Sequence, residues 1–123
     1  AEDCLFVGRV FVARRRRGEI RSSYIQADLG TPPHYLCQPE LAAAGGADAA
    51  SIAPRFRSRR FGAPGYALLA RDTPDAIRAG ASDEGEMGAF HDDYLALRER
   101  NLRARVDEFT PAGHTTTIRF HPE

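Results

Sequence analysis

The sequence predicts one α+β domain, with a mainly antiparallel sheet and one long amphipathic helix packed across one face of it. Two observations support this fold class: helical periodicity in residues 88–109, and several short β-prone runs separated by turn residues. The chain has 123 residues, which suits a single domain with its own core, so we assign residues 1–123 to one domain. Its 42% hydrophobic and 28% charged residues are typical of a folded globular chain.

Residues 88–109 are the main helical candidate. Acidic residues precede this stretch, where a helix dipole favours negative charge, and Pro111 and Gly113 end it: the acids are Asp83, Glu84 and Glu86. Its apolar residues recur mostly in steps of three, four or seven and so share one broad face: Met87, Phe90, Tyr94, Leu95, Leu97, Leu102, Val106 and Phe109. We expect this face to be buried against the sheet.

Four β-prone runs predict the strands. Residues 5–13 are rich in Val and Phe, and residues 19–29 alternate in character, so the two runs predict an antiparallel hairpin with residues 14–17 at its tip. Residues 66–71 and 115–120 are the other predicted strands. Proline and glycine at their ends predict two short helices, at residues 39–44 and 75–79.

Charge is unevenly distributed along the chain. All 17 basic residues are Arg, a bias that a GC-rich genome produces without functional selection; a chemical demand for Arg is the alternative. The net charge is zero, yet residues 1–71 carry 11 Arg and 6 acids, a net +5, while residues 72–123 carry 6 Arg and 11 acids, a net −5. The two halves can pack together, or the basic half can meet an anionic partner, or copies can associate head to tail.

Two Arg-rich segments are the candidate binding residues. Arg can hold a phosphate bidentately and an exposed Phe can stack on a base, so their composition suits an anionic partner, either nucleic acid or an acidic protein face. The alternative is a solvated turn followed by a strand with its Phe residues inward. The candidates are Arg14, Arg15, Arg16, Arg17, Arg55, Phe56, Arg57, Arg59, Arg60 and Phe61. The sequence therefore favours a small non-catalytic binding or assembly module.

An enzyme is the alternative function. It would act on an acidic substrate at a His, Asp and Arg site between helix and sheet, with His91 or His114 as the acid-base group, and His91 could also meet His121. The sequence has no GxSxG elbow, no GxxxxGK phosphate loop, no GxGxxG fingerprint and no CxxC pair. It accordingly predicts no cofactor and no metal site.

Cys4 and Cys37 fit buried thiols in a cytosolic protein or one bridge in a secreted protein. No hydrophobic run reaches the roughly 20 residues that span a bilayer, and no signal peptide is recognisable. We expect a soluble cytoplasmic protein without a membrane partner, acting as a homo-oligomer or as a subunit of a larger complex. A complex subunit would expose apolar area on the isolated chain.

Residues 67–77, ALLARDTPDAI, together with His91, Tyr94 and Leu95, resemble the strand and following helix of the small YciI-type members of the dimeric α+β-barrel group. The likeness covers roughly 30 residues, and about 65 residues precede it. Members of that group are ferredoxin-like and dimerise through their sheets, often around a His and an Asp. The resemblance therefore implies a ferredoxin-like sheet and a dimer that forms through it.

Overall fold

The computed structural model describes residues 1–26 and 30–119. These residues form a small α+β structure, but the predicted antiparallel sheet is not among its elements. Its elements are the strands β1 (Leu5–Phe6), β2 (Ile20–Arg21), β3 (Tyr24–Ile25) and β4 (His34–Tyr35) and the helices α1 (Glu40–Ala44), α2 (Asp75–Arg78) and α3 (Leu95–Phe109). Two 3-10 turns, Ala49–Ser51 and His91–Asp93, complete them.

The strands pair in parallel. β1 pairs with β3, and β2 pairs with β4, so residues 20–25 run between two neighbouring segments of the chain. Two isolated parallel bridges extend these pairs, Glu2 with Arg21 and Tyr24 with Gln38. A parallel pair needs a long connection, and residues 7–19 provide the one between β1 and β2. The predicted hairpin is therefore wrong, and residues 14–17 lie on this connection; residues 27–29 of its second strand fall outside the described part of the chain.

All three parallel segments bend at the same level. Asp3, Ser22 and Leu36 have φ of 54°, 45° and 52°, in the left-handed region that non-glycine residues enter at a cost of about 1–2 kcal/mol each. The strand register places these three residues side by side. At this bend, the Asp3 carboxylate accepts hydrogen bonds from the Ser82 backbone N–H at 2.6 Å and the Ser82 hydroxyl at 2.7 Å. The first segment is thereby tied to the loop ahead of α3.

The buried apolar residues form two clusters. The first joins the middle segment to the region around α2, and it is extended by the half-buried Leu5, Ile52 and Phe56; its members are Tyr24, Leu69, Ile77, Ala81 and Met87. The second holds Ile20, Ile25 and Cys37, with Phe6 and Val10 packed against it. Neighbouring residues of a strand point to opposite faces, so Tyr24 and Ile25 serve different clusters.

The long helix is shorter and more exposed than predicted. It begins at Leu95 because Tyr94 adopts a left-handed conformation, φ 48°, which interrupts the helical path from residue 88. No residue of α3 is buried, and Leu102 and Phe109 are 49% and 81% exposed. An ion pair between Arg71 and Glu99 attaches α3 to the rest of the chain. The prediction that this helix packs its apolar face across a sheet is wrong.

Some of the remaining sequence predictions are confirmed and others are wrong. The two short helices are confirmed as α1 and α2. Residues 66–71 form no strand and only take part in isolated bridges, Phe56 with Leu69 and Ser58 with Tyr66. Residues 115–119 form no strand either, while residue 120 and His121 lie outside the described residues. The strand and ferredoxin-like sheet implied by the YciI-type resemblance are thus missing from the described structure. Cys4 and Cys37 are both free thiols.

Candidate functional site

The Arg turn (Arg14, Arg15, Arg16 and Arg17) is a tight turn on the connection between β1 and β2. The Arg17 N–H donates to the Arg14 carbonyl oxygen at 3.2 Å, and Gly18 follows with φ 82°, which glycine adopts without a side-chain clash. All four residues are exposed. Arg14, Arg16 and Arg17 make no ion pair with any residue of the ranges 1–26 and 30–119. At least three guanidinium groups can therefore meet a partner.

The second predicted segment, residues 55–61, is divided between the core and the surface. Arg55 Nη1 pairs with Asp72 Oδ2 at 2.7 Å, Phe56 packs against the first core cluster, and Arg57 is half-buried. The exposed end consists of Arg59, Arg60 and Phe61, which we call the Arg–Phe edge.

The Arg–Phe edge combines charge with an exposed ring. The Arg59 guanidinium lies 5.8 Å from the centre of the Phe56 ring, a cation–π distance. Phe61 is 86% exposed and meets Tyr66 edge to face, with ring centres 5.4 Å apart. Of the seven residues 55–61, the three of the Arg–Phe edge are available to bind a ligand. Arg55 and Phe56 instead support the fold.

His91, the leading acid-base candidate, is held between carboxylates. Its Nδ1 lies 2.9 Å from the Glu86 carbonyl oxygen, and its Nε2 lies 3.6 Å from Asp3 Oδ2 and 3.5 Å from Asp83 Oδ2. The hydrogen bond to the Glu86 carbonyl raises the pKa of His91, desolvation opposes that shift, and the nearby carboxylates of Asp83, Asp3 and Asp92 add to it. The arrangement therefore favours an imidazolium.

This group of side chains has the composition of a catalytic site but not the connections of one. The Ser82 hydroxyl donates to Asp3 and makes no hydrogen bond to His91, so the imidazole does not activate it as a nucleophile. The backbone N–H of Gly85 and the Tyr94 hydroxyl lower the pKa of Asp83, which fixes that carboxyl as an anion. His114 is exposed, and no hydrogen bond or ion pair links it to His91 within the described residues. The contacts of His91 therefore join the first segment to the loop ahead of α3, which is a structural role.

An open cleft of about 460 Å³ lies between α2, residues 83–86 and the first turns of α3. We call it the acidic cleft, because four carboxyl groups line it against two guanidinium groups; its charged residues are Asp75, Asp83, Glu84, Glu86, Arg78 and Arg100. Glu86 is 7% exposed, and its carboxylate accepts no hydrogen bond from the described residues. Desolvation raises the pKa of Glu86, Asp93 adds to the shift, and Arg78, Arg57 and His91 oppose it.

Sequence reasoning did not find this cleft. It attributed Asp83, Glu84 and Glu86 to the capping of a helix, but α3 begins only at Leu95. Nothing in the sequence distinguishes Glu86 from its acidic neighbours, because its burial comes from the contact of residues 83–86 with α2 and α3.

A second cleft, of about 470 Å³, lies between the parallel segments and α2. It contains Glu2 and Arg21, but no histidine lines it. The predicted His, Asp and Arg site between helix and sheet is thus not assembled in either cleft.

Within residues 1–26 and 30–119, no group of three or more His, Cys, Asp or Glu side chains is arranged to hold a metal ion. No helix in those ranges has the length and apolar character to cross a membrane.

Comparisons of this chain with protein-family models, with curated proteins and with solved structures found no match. Its function must therefore be argued from its own residues.

Proposed function

We propose that this protein is a small non-catalytic binding and assembly module that contacts an anionic surface through the Arg turn. The observation that carries the proposal is the set of three exposed guanidinium groups, on Arg14, Arg16 and Arg17, without an ion-pair partner in the described chain. Adjacent like charges repel one another, and an anion relieves that repulsion. A guanidinium also binds carboxylates and phosphates bidentately, which gives the contact direction as well as strength.

The Arg–Phe edge supports the same function. Arg59 and Arg60 extend the cationic surface, and Phe61 offers a face that can pack against a partner's apolar or aromatic group.

The exposed apolar residues of α3 support a role in assembly, since exposed apolar area is what a subunit of a complex presents; they are Leu97, Leu102 and Phe109. Two free thiols fit a reducing compartment such as the cytoplasm.

An enzymatic role has less support. His91 lies between Asp3 and Asp83 and does not line the acidic cleft, while the cleft holds Arg78 and Arg100 without a histidine. A substrate bound by those arginines would therefore not meet the imidazole there.

The first test measures binding to two anionic probes, a labelled single-stranded oligonucleotide and poly-glutamate, by fluorescence anisotropy over a salt series. The variant replaces Arg14, Arg16 and Arg17 with Gln and leaves Arg15 in place. We expect its affinity for whichever probe binds to fall by at least about tenfold, because charge-assisted hydrogen bonds are lost. For the oligonucleotide, the slope of log affinity against log salt should flatten by roughly 2.

A matched control removes the same charge elsewhere, by Arg98→Gln, Arg105→Gln and Arg119→Gln. These three residues are exposed and belong to the acidic half of the chain. The control should retain nearly all of the affinity. Equal losses in the two triple variants, or no binding of either probe by the unmodified protein and no self-association, would refute the Arg turn as a binding site.

A further inference from the structure

We propose that the Arg turn of one copy docks in the acidic cleft of a second copy, so that the chain associates head to tail. This inference rests on the proposed function, because it names the anionic surface that the Arg turn contacts. It also assigns a role to the acidic cleft, which the binding proposal leaves unused.

The cleft has the properties of a receptor for a cationic side chain. Its volume of about 460 Å³ falls within the range of ligand sites, roughly 300–1,000 Å³. Glu86 lines it, is 7% exposed as a residue, and has a carboxylate that accepts no hydrogen bond from the described residues. A carboxylate at a cleft that accepts no internal hydrogen bond can pair with an incoming cationic donor. Leu95 and Leu97 provide an apolar wall against which the methylene groups of an Arg side chain can pack.

Part of the charge on each half of the chain is already matched within one molecule. Arg55 pairs with Asp72, and Arg71 pairs with Glu99, so basic residues of the first half do meet acids of the second. These pairs account for some of the opposite net charges of residues 1–71 and 72–123.

Other charged groups form no close ion pair, although Arg78 and Arg57 interact with Glu86 at longer range. Arg14, Arg16 and Arg17 form no ion pair within the described residues, and neither do Asp75, Glu84 and Glu86. Two surfaces of opposite charge therefore remain on each molecule, and a second copy presents the complement of both.

The same charges argue against nucleic acid as the main partner. The chain has no net charge, and the carboxylates around the acidic cleft would repel a long polyanion wherever it passed near them. A second copy meets no such penalty, because its Arg turn is attracted to those carboxylates. An interface of this kind is heterologous, so an open assembly keeps one free turn at one end and one free cleft at the other until a ring closes.

The test is the mass of the full chain by sedimentation velocity over a series of protein and salt concentrations. We expect the mass to rise with protein concentration at low salt and to return to that of one chain at high salt. Two variants test the two surfaces separately. The turn variant removes the charge of the Arg turn by Arg14→Gln, Arg16→Gln and Arg17→Gln. The cleft variant removes two charges of the acidic cleft by Glu84→Gln and Glu86→Gln. Each variant alone should associate at least about tenfold more weakly than the unmodified chain.

A mixture of the two variants distinguishes a head-to-tail interface from a symmetric dimer, because only the head-to-tail interface is restored at full strength by mixing. The turn variant keeps an intact cleft and the cleft variant keeps an intact turn, so an equal mixture should form pairs that contain one of each. The pairs should not grow further, because the remaining turn and cleft are both disabled. Asp107→Asn with Glu108→Gln, two exposed acids of α3, is the matched control for the cleft variant and should associate like the unmodified chain.

Several results would overturn the head-to-tail interface. These are a mass that stays at one chain at all concentrations, variants that associate as strongly as the unmodified chain, or a mixture that remains monomeric. Circular dichroism and thermal melts confirm that both variants fold before the mixture is judged. If the unmodified chain stays monomeric but binds the oligonucleotide through the Arg turn, the interface is wrong and the proposed function stands.

Discussion

His91 shows how one side chain ties separate parts of this chain together. It contacts the Glu86 carbonyl oxygen and lies beside Asp3 and Asp83, and Asp3 in turn accepts two hydrogen bonds from Ser82. Residues from the first segment and from the loop ahead of α3 thus meet at one imidazole. The geometry suits a charged His, so the strength of this tie depends on pH.

Stability should fall at alkaline pH through His91. Its pKa is raised in the folded protein above the ordinary value of about 6.5, so the folded chain binds the proton more tightly than the unfolded chain. This contribution is complete below about pH 6.5 and is lost as pH rises through the folded pKa. We expect a loss of less than about 1 kcal/mol, because the pair is partly solvated. Urea unfolding at several pH values measures it.

Two substitutions isolate the effect of His91 from other titrating groups. His91→Gln should remove the pH-dependent difference, whereas His114→Gln, at an exposed position, should leave it unchanged. If the His91→Gln protein retains the full pH dependence, the imidazole is not the group responsible.

At this scale, the sequence predicts exposure better than burial. Four adjacent Arg residues repel one another and cannot be buried together without anions, so the exposure of the Arg turn follows from local chemistry. The burial of Glu86 does not, because its cleft forms from α2 and α3 packed around it. The ion pair of Arg55, one of the predicted binding residues, could not be predicted either, because its partner Asp72 is brought to it by the fold and not by sequence proximity.

At the scale of elements, helix α3 contributes less to the core than its periodicity implies. Its apolar residues Leu95, Leu102 and Phe109 are spaced by seven and share one side, yet none of them is buried. The core is instead built around α2, whose Ile77 is fully buried.

Two alanine substitutions test this assignment. Ile77→Ala should destabilise the protein by roughly 2–5 kcal/mol, the usual result of opening a cavity in a core. Leu102→Ala should cost less than about 1 kcal/mol, because half of that side chain is already in solvent. Thermal or urea unfolding measures both. A large loss for Leu102→Ala, with a small one for Ile77→Ala, would restore the long helix as the centre of the core.

The short elements show which local signals are sufficient. Helices α1 and α2 follow directly from prolines at their starts and glycines after their ends. The strands could not be paired from the sequence, because the parallel segments bend at left-handed Asp3, Ser22 and Leu36, and such residues carry no signal comparable to that of glycine. The same holds for Tyr94, whose conformation shortens the predicted helix.

At the scale of the whole molecule, two apolar clusters are joined through the middle parallel segment. Tyr24 belongs to one cluster and Ile25 to the other, and no residue of α3 belongs to either. Helix α3 can therefore open without exposing the buried apolar surface. The two clusters cannot unfold independently of each other, because adjacent residues of the middle segment, Tyr24 and Ile25, belong to different clusters.

Amide hydrogen exchange should show this difference. The N–H groups of Ile25, Gln38 and Met87 donate to backbone carbonyl oxygens beside the clusters and should exchange slowest, close to the rate of global unfolding. The N–H groups in the middle of α3 should exchange at least about a hundredfold faster, through local opening. Equal protection of α3 and Met87 would mean that the helix unfolds only together with the core.

The tie between Asp3 and Ser82 spans 79 positions of the chain. During synthesis, Asp3 is made well before its hydrogen-bond partner, which follows 79 residues later. The parallel partner of β1, strand β3, is available sooner, since it ends at Ile25. The first segment can therefore reach its place beside β3 long before it is fixed there, and it remains free to move until residues 82–91 emerge.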